Sequence, residues 1–411
     1  MLCQISVKNY KSIRDEVTFD MQAAAISDQN DKIIQDIDGE CFLPVSVIYG
    51  PNGGGKSNVL EAVHTLNSKV LRPLCATCEK RDCDYKARKM PVEPFAFSEE
   101  SGNAPTAFEI FFRTKTAEYR YILHIWQEQV VYESLGKVKL ESGRRSALFV
   151  RKGEEIQLKG AFGKFKISED LSQTLPLLSY LGITYMKNEI VSDVLDWFEH
   201  SIDFLNYGNP YQEIKTAIAK SEDIKVLILD MIREMDLDIE DFRFEEKDEH
   251  SFEVYTKHIV EGYCAELALS EESSGTKKLF GLLPYIARSL VRGTTLIIDE
   301  LDAKIHPLLL QHIIEMYTDK SINQHGAQLI FTSHDLSTMN RNNFRRDEIW
   351  FVAKGKSQNS KLYSLVEFKE EENISIDKET KYDKQYLEGR YGADPYLQRI
   401  IDWGKTNVKS C

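Results

Sequence analysis

Three features of the sequence predict an α/β fold with a mixed core sheet flanked by helices. The first is the segment Gly50 to Ser57, Gly-Pro-Asn-Gly-Gly-Gly-Lys-Ser, set between an apolar stretch (Val45, Val47, Ile48) and a helical-period run (Val59, Leu60, Ala62, Val63, Leu66). The second is Thr295 to Ile298, an apolar run that ends in Asp299 and Glu300. The third is Ala327 to Phe331, which ends in Thr332-Ser333-His334-Asp335. Short apolar runs bounded by turn residues read as buried strands, and the 3.6-residue spacing reads as a helix.

The glycine-rich segment has the spacing and the strand–loop–helix context of a phosphate-binding loop. Its glycines let backbone N–H groups crowd around phosphate oxygens, and the helix N-terminus adds the positive end of its dipole. Asn52, Gly53, Gly55, Lys56, Ser57 and Asn58 are the candidate nucleotide contacts. Lys56 reaches the β- and γ-phosphates in such loops, and the Ser57 hydroxyl ligates Mg²⁺. ATP and Mg²⁺ are therefore the expected cofactors.

Before this loop, Leu2 to Val7 alternates as a strand and Val17 to Met21 can pair back on it. After it, Phe108 to Phe112, Tyr119 to Ile125, Val130 to Tyr132 and Val138 to Leu140 alternate as an antiparallel sheet. Residues 170–236 carry near-helical spacing, in Val191 to Phe204 and Ile214 to Met235. The stretch 234–249 holds nine Asp or Glu against Arg243 and Lys247. Phe252 to Tyr255 and His258 to Val260 read as strands. Lys277 to Leu290 reads as a helix, as does Pro307 to Tyr317, and Ile349 to Val352 with Leu362 to Leu365 read as closing strands.

These segments divide the chain into four parts. Residues 1–165 form the first half of a nucleotide-binding head, with a Cys-rich basic loop and the antiparallel sheet. Residues 166–260 form a mainly helical, compact insert. Residues 261–368 form the second half of the head, and 369–411 a tail.

Asp299 and Glu300 complete the second half of the site. An acid at the first position holds Mg²⁺, usually through water. The next one polarises an attacking water. A solvated acidic turn is the plainer reading of such a pair, and the phosphate loop upstream argues against it. His334 can hydrogen-bond a γ-phosphate, although a lone His is more often structural.

The chain has 411 residues, with 52 Lys and Arg against 65 Asp and Glu, a net charge of −13. That balance argues against a surface that grips nucleic acid everywhere and leaves room for a local basic patch. No apolar run reaches membrane-spanning length. A soluble, cytoplasmic protein is expected. Seven cysteines in such a chain read as thiols or metal ligands rather than disulfides. Cys75, Cys78 and Cys83 form a Cys-x2-Cys-x4-Cys group whose first pair has zinc-ligand spacing. A fourth ligand would be His64, Asp82 or Asp84, or come from another chain; an inert or redox-sensitive loop of thiols is the alternative. Around it, residues 69–89 hold seven basic against three acidic residues, suited to nucleic acid, an acidic partner or solvent.

The order of phosphate loop, Asp-Glu strand and His strand resembles the heads of ABC-type ATPases, in the RecF, SMC and OLD branch. Asn9-Tyr10-Lys11-Ser12-Ile13 resembles that branch's opening strand, and Glu300 to Pro307 its acidic strand end and D-loop. Glu272-Ser273-Ser274-Gly275-Thr276-Lys277 stands where its signature motif belongs. Within the branch, the chain is similar to the AAA-15/AAA-21 group, with RloA- and AbiL-like prokaryotic defence ATPases. The tail from Tyr386 to Ala393 also resembles that group. The likeness spans the first 65 residues and roughly 264 to 396.

The resemblance implies an ATPase that works as a dimer or higher oligomer. Ser273 and Gly275 of one protomer would cap the γ-phosphate held by its partner, while Ser273 also reads as an ordinary helix N-cap. Ser274, Thr276 and His306 depart from the family pattern, which bears on hydrolysis rate. Gln127 and Gln129 are weak candidates for the Q-loop. The implied role is a nucleotide-gated switch in antiviral defence that controls a separate effector such as a nuclease. The alternative is a RecF/SMC-like DNA-binding ATPase of repair or chromosome maintenance.

Overall fold

The computed structural model describes residues 1–75, 91–205, 222–235, 238–248, 251–367, 382–387 and 391. The first third of the chain gives β1 (Leu2–Lys8), β2 (Val17–Asp20), β3 (Ile34–Gln35), β4 (Cys41–Phe42), β5 (Val45–Tyr49), α1 (Lys56–Cys75), β6 (Thr106–Arg113), β7 (Ala117–Trp126) and β8 (Gln129–Lys139). Then come β9 (Arg145–Lys152), β10 (Glu155–Leu158), α2 (Leu177–Tyr185), α3 (Glu189–His200), β11 (Ile202–Leu205), α4 (Glu222–Glu234), β12 (Asp241–Asp248), β13 (Ser251–Val260) and β14 (Tyr263–Ala268). The last part gives α5 (Ser274–Arg292), β15 (Thr295–Ile298), α6 (Pro307–Thr318), β16 (Gln328–Thr332), β17 (Ile349–Lys354), β18 (Ser360–Ser364) and α7 (Tyr382–Leu387).

The core sheet has six strands in the order β11-β15-β16-β5-β17-β18. Its first five strands run parallel, and β18 returns antiparallel on β17. Every residue of β5, β15 and β16 is buried. Helices cover both faces of a parallel sheet, so its inner strands read as unbroken apolar runs. Alternate side chains enter opposite cores. Val45, Val47 and Tyr49 pack with buried residues of α4, α5 and α6. Ile48, Ile297, Ile330 and Val352 pack on the other side with α1, α2, α3 and the second sheet.

That second sheet has seven antiparallel strands, β10-β9-β8-β7-β6-β1-β2. In β7 the buried side chains alternate, Tyr119, Tyr121, Leu123 and Ile125, and they close over α1, α2 and α3. Glu133 of β8 is fully buried, and its carboxylate accepts the N–H groups of Leu177 and Leu178 and the Tyr121 hydroxyl. Pro176 at the N-cap of α2 has no side-chain acceptor, so a carboxylate from the sheet caps that helix.

The mixed α/β class is the one expected, with local differences. The two strands read at 130–132 and 138–140 are one strand, β8, whose pairing with β9 shifts register between Leu135 and Gly136. The two read at 252–255 and 258–260 are β13. The helical spacing of Val191 to Phe204 ends at His200, and β11 follows as the sheet's edge beside β15. Residues 166–260 thus hold α2, α3, α4, β11, β12 and β13. No helix among the described residues is long and apolar enough to cross a membrane.

Candidate nucleotide site

Parallel pairing of β15 with β16 and of β16 with β5 brings three C-terminal strand ends to one edge. Ligands of open α/β sheets bind at that edge. It gathers Gly50 to Ser57 after β5, Asp299 and Glu300 after β15, and Ser333 and His334 after β16.

The loop is a tight turn, with the Gly54 N–H donating to the Pro51 carbonyl at 3.0 Å. Gly50 closely approaches β17: a Cβ there would stand 2.5 Å from the Val352 carbonyl oxygen. Gly55 has φ +110°, and a Cβ would lie 2.3 Å from Ser360 Oγ and 2.6 Å from Ser12 Oγ. Asn52, Gly53 and Ser57 are exposed at the mouth. Lys56 opens α1 and is buried, its Nζ donating to the carbonyls of Gly50 (2.9 Å) and Pro51 (3.3 Å). Burial pushes the Lys56 ammonium below the usual lysine range, and the opposing charges of Asp299, Glu300 and Asp302 partly restore it. One buried cation therefore faces three carboxylates.

Thr332 fixes the Asp299 carboxylate and the Glu300 backbone. Its hydroxyl donates to Asp299 Oδ1 at 2.5 Å and accepts the Glu300 N–H at 2.7 Å. Its carbonyl accepts the Leu301 N–H. Glu300 is exposed and has φ +50°, which turns the chain sharply out of β15. His334 is exposed, and its backbone N–H donates to Asp302 Oδ2 at 3.0 Å. The other oxygen of Asp302, Oδ1, is buried without a hydrogen-bond partner among the described residues.

Ser273 is the N-cap of α5, its hydroxyl accepting the Thr276 N–H at 3.1 Å. It is exposed, so the capping role leaves it at the surface of the head. A Cβ on Gly275 would lie 3.3 Å from the Lys304 carbonyl, so the start of α5 sits against the loop after Glu300. Lys278, one turn on, donates to the carbonyls of Glu300 (2.8 Å) and Leu301 (3.0 Å). Glu272, just before the cap, accepts from the Thr256 hydroxyl and lies 2.8 Å from His258 Nε2. His306 caps α6 by accepting the Leu308 N–H through Nδ1, the work an Asp would do there.

The residues present fit a nucleotide with Mg²⁺: a cradle closed to any Cβ at Gly55, a buried lysine, and a hydroxyl and a carboxylate at Ser57 and Asp299. Thr332, Asp302 and Lys278 carry no role in the sequence reading. Thr332 is the last residue of β16, and a hydroxyl closing an otherwise apolar buried run was the available signal.

Other candidates lie elsewhere. Gln127 lies in the turn between β7 and β8 and Gln129 opens β8, either side of Glu128, which pairs with Lys69 at 2.7 Å. Lys69 is thirteen residues beyond Lys56 on α1, about 20 Å along the axis at 1.5 Å per residue. That turn is therefore remote from the loop. Cys78 and Cys83 lie outside the described residues, as do Asp82 and Asp84, while Cys75 ends α1. His64 packs on Phe204, with ring centroids 4.6 Å apart. Among the described residues no group of three or more His, Cys, Asp or Glu is placed to hold a metal.

A family model described as "AAA domain, putative AbiEii toxin, Type IV TA system" matches residues 45–340. A search of curated proteins found no match. Among solved structures, the chain is similar to an SMC head bound to the C-terminal winged-helix domain of ScpA (13% identity, TM-score 0.47, 88% of this chain and 97% of that one). It is similar to the SMC head domain from Thermotoga maritima (14%, 0.41, 88% and 98%). It is also similar to the Smc head with an extended coiled coil, bound to the C-terminal domain of ScpA, from Pyrococcus furiosus (12%, 0.43, 88% and 96%). With phosphate loop, acidic strand end and His strand all inside the matched span, the chain belongs to the AAA-21 family of P-loop ATPase domains.

Proposed function

We propose that this chain binds ATP with Mg²⁺ and hydrolyses it, and that two copies close over the nucleotide as a switch. The observation that carries this reading is Lys56, buried at the C-terminal edge of the core sheet and facing Asp299, Glu300 and Asp302. Backbone N–H groups of the loop and the Lys56 ammonium bind the β- and γ-phosphates. Ser57 and Asp299 hold Mg²⁺, which when bound neutralises phosphate charge. The Thr332 hydroxyl keeps Asp299 oriented. Glu300 accepts a proton from the attacking water, and His334 donates toward the γ-phosphate.

Ser273 and Gly275 act in trans. Ser273 is exposed at a helix N-terminus, where backbone N–H groups and the dipole favour an anion. A second copy supplies that anion on its own Lys56, so the composite site is complete only in a dimer or larger assembly. Closure then controls a separate effector, such as a nuclease, in cytoplasmic antiviral defence. The family's description as a putative toxin of toxin–antitoxin systems supports a role in cell defence.

The test is nucleotide-dependent association of the Glu300→Gln protein, followed by its purification from native cells with ATP and Mg²⁺. ATP binding, association and a stoichiometric nuclease-like protein support the switch. Duplex DNA without a protein partner would favour a RecF/SMC-like clamp for repair or chromosome maintenance. Absence of ATP binding would end both readings.

A further inference from the structure

A chain of side chains from three distant segments converges on one peptide group of the phosphate loop. Asn58 Nδ2 donates to Ser12 Oγ at 2.6 Å. Ser12 Oγ lies 2.7 Å from Ser360 Oγ. Ser360 Oγ lies 2.6 Å from the Gly54 carbonyl oxygen. Each hydroxyl has one proton, and a carbonyl only accepts. The arrangement that satisfies all three contacts runs in one direction: Asn58 to Ser12, Ser12 to Ser360, Ser360 to Gly54.

The surroundings hold this relay in place. Ser360 is 2% exposed. Its backbone N–H donates to the Ser12 carbonyl at 2.8 Å, and the Arg14 N–H donates to Asn359 Oδ1 at 2.8 Å. Both hydroxyls stand where a Cβ on Gly55 would be, so they occupy the outer side of the Gly54–Gly55 peptide.

In a trans peptide the C=O and the following N–H point in opposite directions. Fixing the Gly54 oxygen on Ser360 therefore turns the Gly55 N–H away from Ser360, toward the inside of the loop. We infer that Ser360, with Ser12 behind it, is a positioning residue for nucleotide binding: it holds the Gly54–Gly55 peptide with its N–H presented to the β-phosphate. This rests on the ATP reading above and adds to it a residue from β18, 306 positions along the chain from Gly54.

The experiment compares wild-type, Ser360→Ala, Ser12→Ala and the double variant by titration with ATP and with ADP, alongside steady-state hydrolysis. Loss of one buried hydrogen bond predicts about tenfold weaker binding of both nucleotides to Ser360→Ala. KM rises by the same factor, and kcat at saturating ATP stays within about twofold, because the peptide binds ground state and transition state alike. Ser12→Ala should weaken binding less, and the double variant should match Ser360→Ala, since the residues act in series. A fall in kcat with unchanged nucleotide affinity, or additive effects of the two substitutions, would overturn the inference. Wild-type ATP binding matched by Ser360→Ala would remove it alone, while a wild-type protein that bound no nucleotide would remove the reading beneath it too.

Discussion

Lys278 Nζ donates to the backbone carbonyl of Glu300 at 2.8 Å, which ties the start of the helix that carries Ser273 to the strand end that carries the candidate general base. A second bond to the Leu301 carbonyl makes the tie two-pronged. The position of Ser273 is thus linked to the state of its own chain's acidic loop.

Burial brings the Lys278 ammonium down to about 8, despite the opposing pull of Asp302 and Glu300. A lysine lowered this way is charged below that pH and neutral above it. Between about 8 and the unfolded value near 10.4 the unfolded chain binds more protons, so this group makes stability rise with pH across that window. The charge-assisted contacts to the two carbonyls weaken across the same window. ATP-dependent association is therefore expected to fall as pH passes 8. Lys278→Arg, charged throughout, should remove that dependence. Light scattering with ATP from pH 7 to 9.5 reads the difference; identical profiles would refute it.

Glu300→Gln should leave ATP affinity within about threefold and slow phosphate release by 10²-fold or more, the usual contribution of a positioned base. Filter binding and a phosphate-release assay separate the two. Turnover close to wild type would remove Glu300 from the proposed role.

Thr332→Val keeps the shape of the side chain and deletes the hydroxyl that serves Asp299 and the Glu300 N–H together. About 1–3 kcal/mol of stability should be lost with the unpaired buried group. Hydrolysis should fall in parallel. Urea unfolding would show the first effect, and an unchanged midpoint would contradict it.

Glu133→Leu tests the antiparallel sheet rather than the site. It leaves the Leu177 and Leu178 N–H groups and the Tyr121 hydroxyl without their acceptor. A loss of about 2–5 kcal/mol is expected. The melting temperature should drop by several degrees while nucleotide affinity of the folded protein is retained.

Much of the site was legible because its parts are local in sequence. The phosphate loop, the Asp299-Glu300 end and the His334 end each follow a short, fully buried strand, which appears as an uninterrupted apolar run. Edge and partly exposed strands were harder. β9 opens with Arg145-Ser146, and in β12 the charged Asp241, Arg243 and Glu245 alternate with Phe242 and Phe244, so neither shows an uninterrupted apolar run. β11 continued the apolar spacing of α3, and only its pairing with β15 makes it a strand. The bracing of Gly54 by Ser12 and Ser360 joins segments hundreds of residues apart, and no local pattern announces it.

The place of β5 in the core sheet also sets when the protein becomes competent. This strand precedes the phosphate loop, yet its hydrogen-bonded neighbours are β16 and β17, with Val47 opposite Ile349. At about 5–20 residues per second, a ribosome needs roughly 15–60 s to make the intervening chain. Until then Val45 to Tyr49 is a bare, apolar strand with no sheet to join. Nascent chains should pass through a long interval as clients of a holdase, with nucleotide capture arriving only once β16 and β17 have been made.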